Sequence, residues 1–190
     1  MTQYPLTFLR KYFDDEKPLH GRLYALYLLF IFCAGSVVGW IYEELLFLVL
    51  FHQETKRGFL FGPYLPIYGT GAVLMLALLR RWRKKPWILL PASMLVAGVL
   101  EYSTGALMMN IWHRRWWDYT GQFLNIQGYV SLESVCAFGA MALLLFYVLD
   151  PLANHFVTTR KGRALSIATC TFGAIMLIDL IATLLLHNKV

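Results

Sequence analysis

The stretch LYALYLLFIFCAGSVVGWIYEE, Leu23–Glu44, decides the fold. Its first 20 residues, Leu23–Tyr42, carry no formal charge, and two glutamates follow at once. About 20 consecutive apolar residues let an α-helix cross the hydrocarbon of a bilayer. Similar runs recur: Gly58–Leu79 has 22 uncharged residues, Pro86–Leu100 has 15, Ser134–Leu149 has 16 and Ala164–Ile178 has 15. The last three reach spanning length once Glu101, Glu133 and Asp179 are included. The chain is 58% hydrophobic and only 15% charged, against about 25% charged for soluble domains. A mean hydropathy of +0.55 agrees. The fold class is therefore an all-α membrane protein.

Five spanning helices are expected, over about 22–50, 62–80, 86–111, 129–149 and 164–186. Residues 1–21 read as a cytoplasmic or interfacial N-terminal segment, and 22–190 as a single polytopic transmembrane domain. A cleavable signal is not expected. Asp14, Asp15 and Glu16 precede the first apolar run, which is also too long for a signal's apolar core. Lysines and arginines collect in cytoplasmic loops. Twelve of them fall on the N-terminal side of the five spans and five on the other. This places the N-terminus in the cytoplasm of a cell, inner or plasma, membrane. The RRWRKK loop, Arg80–Lys85, is its strongest anchor. The net charge of +6 belongs to this asymmetry, and no nucleic-acid partner is expected.

Chemistry must then come from charges inside the spans. Glu43, Glu44, Glu101, Glu133 and Asp179 fall in or at the ends of the apolar runs. An acid at mid-membrane costs roughly 2.5–3.5 kcal/mol, and intramembrane ionisable residues are functional by default. With the orientation above, all of them lie in the outer half. Gly35, Gly39 and Glu43 share one stripe of the first helix, and the GxxxG spacing turns Glu43 toward the bundle. Glu44 points about 100° away and serves as its internal control. Glu101 shares a face with Ala97, Gly98 and Gly105, and Glu133 with Ala137 and Ala140.

The two outer loops carry the rest. The first, HQETKRGFLFGPYLPIYGTG, is apolar but broken by Pro63, Pro66 and four glycines. A re-entrant or cavity-lining segment is expected there, because irregular backbone at membrane depth needs cover. The second, NIWHRRWWDYTGQFLNIQG, mixes an interfacial tryptophan belt with Arg114, Arg115, Asp118, Gln122, Asn125 and Gln127. The hairpins also echo each other. Glu43 precedes Arg57 by fourteen residues and Glu101 precedes Arg115 by fourteen. The pattern reads as two parallel helical hairpins plus one extra helix.

The candidate substrate-binding residues are Glu43, Arg57, Glu101, Arg115, Asp118, Asn125, Gln127 and Glu133. Three functions fit them: a transporter-like subunit, a membrane enzyme acting on a lipid or lipid-linked group at the outer leaflet, and a non-catalytic assembly partner. In the enzyme, Asp118, Glu133 and Arg115 would be the catalytic residues. Cys33, Cys136 and Cys170 are single and read as buried small hydrophobes. No histidine spacing supports a metal site, and no cofactor is expected.

The motifs carry a resemblance. Gly39, Trp40 and Glu43, then RGFLFGPYLPIYGTG from Arg57 to Gly71, then Trp117, Asp118, Tyr119, Asn125, Gly128, Leu132 and Glu133–Ser134 resemble the small membrane proteins grouped as the family "Putative ABC-transporter type IV". Thr120 stands where that family has a serine after Asp-Tyr. The resemblance covers most of residues 22–149. It implies a permease-like role. The chain contains no GxxxxGK[ST] loop to bind ATP, so a permease of this kind would need a separate ATPase subunit as partner, with a homo-oligomer as the other assembly to consider.

Overall fold

The computed structural model describes residues 13, 18–51, 58–158 and 162–187. Five helices run through them. They are α1 (Gly21–Phe51), α2 (Pro66–Leu79), α3 (Pro86–Trp112), α4 (Leu132–Thr158) and α5 (Gly162–His187). α1, α3, α4 and α5 are each long and apolar enough to cross a membrane. α2 has 14 residues and continues into a 3₁₀ turn, Arg80–Trp82. At about 1.5 Å per residue and about 2 Å in the 3₁₀ turn, this gives a rod of roughly 27 Å. Among the described residues no strand forms, and Ile126 and Val130 make an isolated antiparallel bridge.

Helix boundaries follow local chemistry. α3 starts on Pro86, whose missing N–H is an orphan there anyway. It ends where His113 turns left-handed, with φ +52°. α4 begins three residues later than the apolar pattern suggests, because Ser131 caps it. The Ser131 hydroxyl accepts from the Ser134 amide at 3.2 Å and the Ser134 hydroxyl accepts from the Ser131 amide at 3.0 Å. This is a reciprocal capping box.

The other end of α4 departs further from expectation. The pattern ends the helix near Leu149 and gives about fourteen loop residues. Instead the helix continues through Pro151 to Thr158. A π-helical turn, Leu145–Leu149, comes just before the proline. Such a turn re-routes the backbone bonds that a proline ring would break. Only residues 159–161 separate α4 from α5. Asp150, expected in a loop, is instead fully buried in a helix, and accepts a 2.6 Å hydrogen bond from the equally buried Tyr27 hydroxyl.

The chain divides into two compact units, one of residues 1–73 and 149–190, the other of residues 74–148. In the first, α1 packs on α5 and on the last part of α4. The segment Gly58–Leu65 is irregular and lies against α1 and α5. Leu60 and Tyr64 join Cys33 and Met176 in a buried cluster, with Phe172 edge-on to Tyr64 at 5.7 Å. This matches the expected broken outer segment. α1 and the start of α2 meet glycine to glycine. A Cβ on Gly35 would lie 3.3 Å from the Gly69 Cα, and one on Gly39 would overlap the Tyr68 ring. Small residues allow such close approach.

In the second unit α3 packs along α4. The buried stripe of α3 is Leu89, Ser93, Ala97, Glu101 and Gly105, spaced by four throughout. Cys33 is buried as expected, but Cys136 and Cys170 are exposed on apolar helix faces, where a bilayer offers the same apolar surroundings.

Candidate functional site

Three carboxylates on the long helices are each held by donors from other segments. Glu43, about two turns from the end of α1, accepts from the Tyr68 hydroxyl at 2.7 Å. Tyr68 is the third residue of α2, and its ring fills the space that Gly39 leaves open one turn before Glu43. The glycine stripe therefore does turn Glu43 toward α2. Glu44, one position on, is half-buried, as Glu43 is. Arg57, the expected partner of Glu43, lies outside the described residues.

Glu101 occupies the matching place in the second unit. It is only 4% exposed. Its Oε1 accepts from the Tyr119 hydroxyl at 2.8 Å and its Oε2 from the Ser134 hydroxyl at 2.7 Å. Ser134 is the third residue of α4. In both hairpins, then, a hydroxyl at the third position of the following helix donates to the glutamate. Spacing pointed to the paired glutamates, but not to their partners. Ser93, two turns along the same stripe, is fully buried, and its hydroxyl finds no hydrogen-bond partner among the described residues.

Asp179 on α5 is the third. Its Oδ1 accepts from the Phe61 amide and the Thr183 hydroxyl, each at 3.1 Å, and its Oδ2 from the Gly62 amide at 2.8 Å and from the Tyr64 hydroxyl. It supplies the acceptors that a non-helical segment against apolar helices needs. The sequence marks Asp179 as an intramembrane acid but assigns it no partner.

The loop 113–131 folds on itself. Asp118 accepts from the Thr120 hydroxyl, from the Thr120 amide at 2.9 Å and from Arg115 at 3.0 Å. Gly128, with φ +73°, packs against all three residues, and its carbonyl accepts from the Tyr119 amide. Arg115 also lies over the Tyr129 ring at 4.9 Å. Asn125 closes a turn, donating to the Gln122 carbonyl and accepting from the Gly128 amide. Gln127 accepts from the Tyr102 hydroxyl at 2.8 Å. Gly105 leaves room for Trp117 and Tyr129 to lie on α3. The loop thereby aims Tyr119 at Glu101.

The trio Asp118, Glu133 and Arg115 is only partly assembled. Asp118 and Arg115 pair, but Glu133 is exposed, and its neighbour Ser134 takes the inward position. Glu133 still shares a helix face with Ala137 and Ala140, but that face is not the buried one: Ser134, Gly139 and Ala142 are buried. The Thr120 bonds, then Arg115, hold the Asp118 carboxyl below the ordinary range. It is a weak base committed to a turn.

These features define a multi-pass helical membrane protein in which carboxylates tie irregular chain to the helices. Within that class the chain belongs to the family described as "Putative ABC-transporter type IV", whose model matches residues 30–184. No curated protein and no solved structure matches it significantly.

Proposed function

We propose that the chain is the membrane subunit of an ATP-driven transporter, and that its outer-half carboxylates belong to the solute path. The carrying observation is Glu101. It lies eleven residues from the end of a 27-residue span, roughly 16 Å along the axis, and is buried there on hydroxyl donors. A neutral side chain would avoid the cost of a carboxylate at that depth. Broken helices beside polar groups near the midplane are also how transporters build binding sites.

In this reading the N-terminus is cytoplasmic, in the cell membrane, and α2 with the segment Gly58–Leu65 completes a crossing. Glu101, with Tyr119 and Ser134, is the centre of the site in the second unit. Arg115, Asp118, Asn125 and Gln127 shape its outer loop, and Glu133 lies at the rim. Glu43 and Arg57 serve the first hairpin. Carboxylates favour a cationic or zwitterionic solute. ATP hydrolysis falls to a separate subunit. The test is uptake by cells carrying Glu101→Gln against Glu44→Gln. Uptake lost only in Glu101→Gln supports the proposal, and equal uptake in both overturns it.

A further inference from the structure

We propose that Glu101 and Ser134 form a reversible proton-binding site built into the cap of α4. The inference rests on Glu101 being functional, as proposed above, and adds its ligand, a proton.

The observation is a single hydroxyl hydrogen with two acceptors in reach. The Ser134 Oγ lies 2.7 Å from the Glu101 Oε2 and 2.9 Å from the Ser131 carbonyl. With Glu101 ionised, that hydrogen points to the carboxylate. When a proton from water adds to Oε2, the new O–H donates to the Ser134 Oγ, and the Ser134 hydrogen turns to the Ser131 carbonyl. No covalent bond in the chain is broken, and both charge states are fully hydrogen-bonded. The Ser131 amide donates to the Ser134 Oγ in either state, and the Ser134 amide keeps its bond to the Ser131 Oγ. Ser131 in turn donates to the Gln122 side chain at 2.7 Å, so the cap is braced while the hydroxyl turns.

Asp179 offers the contrast. Two of its donors are backbone amides, which cannot turn away, so it remains an acceptor. A plain structural lock would be built that way. Glu101 has rotatable hydroxyls instead. Among the groups facing it within its unit are Tyr119 from the loop and Ser134 from α4. The loop also carries the Arg115–Asp118 pair, and α4 carries Glu133, which is exposed. Tyr102, next along α3, is turned to Gln127.

The experiment is infrared difference spectroscopy of the full chain in lipid nanodiscs, titrated from about pH 4 to about pH 9, a range that brackets carboxylates shifted by burial. The expected result is a protonated-carboxyl band that vanishes in Glu101→Gln and persists in Glu44→Gln. In Ser134→Ala its midpoint should rise by about one pH unit, because a bond to the charged form is worth more than one to the neutral form. Ser134→Thr keeps the hydroxyl and should keep the midpoint, which separates the relay from mere weakening of the cap. A band unaffected by Glu101→Gln, or a midpoint that Ser134→Ala leaves unmoved, overturns the inference. Loss of the titration with uptake still dependent on Glu101 would sink the proton site and leave the transport proposal. A titrating Glu101 with uptake indifferent to it would do the reverse.

Discussion

Replacing Asp179 by alanine removes the acceptors of four donors, two of them the Phe61 and Gly62 amides of the irregular segment. Hydrogen bonds to charged groups contribute about 1.5–3 kcal/mol each, and a buried donor left unsatisfied costs about 1–3 kcal/mol. The four share one carboxylate and do not add. The Phe61 end is exposed and can turn to water, whereas Gly62 and Tyr64 are more deeply placed. The net expectation is about 3 kcal/mol, which is roughly a hundredfold in the opening equilibrium of the segment. Asp179→Asn keeps one acceptor but turns an NH₂ toward donors, so about half that cost is expected. Hydrogen exchange read by mass spectrometry on residues 59–65, in nanodiscs, measures it directly. Exchange accelerated by less than about threefold in Asp179→Ala would refute the reasoning.

Gly39→Ala places a methyl into the Tyr68 ring, so it should break the Tyr68–Glu43 bond and cost about 1–3 kcal/mol as overpacking; a melting temperature equal to wild type contradicts this. Gly98→Ala, which would meet the Val135 Cγ1 at 3.1 Å and the Val130 Cγ2 at 3.8 Å, should cost clearly less. Gly128→Ala combines a left-handed backbone with contacts to Arg115, Asp118 and Thr120, and amide protection across residues 118–128 should fall. Because the Asp118 pKa is lowered, its stabilisation of the loop is present above the ordinary carboxylate value of about 3.9 and is lost as pH falls through the lower folded value. Loop exchange corrected for intrinsic rate should therefore be flat from about pH 5 to about pH 8, and Asp118→Asn should raise it throughout that window.

Much of the fold is legible because apolar runs of spanning length admit few alternatives in lipid. The Gly35–Gly39–Glu43 stripe was readable for the same reason: helical spacing fixes which residues share a face. What stayed hidden depends on local rules that override hydropathy. Ser131 and Ser134 look like part of an apolar run's border, yet their reciprocal bonds set where α4 starts, and Ser134 rather than Glu133 meets Glu101. Pro151 looks like a terminator, and the π turn before it lets the helix continue and buries Asp150. Tyr119 and Tyr68 read as interfacial aromatics, and only their hydroxyls mark them as partners of the glutamates. Asp179 carried the signal of an acid in a span, but its partners are backbone amides more than a hundred residues away, which no local pattern encodes.

The central claim is that Glu101 belongs to a solute path and is not merely a brace. A strain lacking the chain, complemented with wild type, Glu101→Gln or Glu44→Gln at matched membrane levels, is offered radiolabelled cationic and zwitterionic solutes. At least one solute should accumulate with wild type and Glu44→Gln but fall to the uncomplemented level with Glu101→Gln, while the melting temperature of purified Glu101→Gln stays within a few degrees of wild type. Accumulation that is the same with Glu101→Gln as with wild type for every solute, or no difference from the uncomplemented strain, would contradict it.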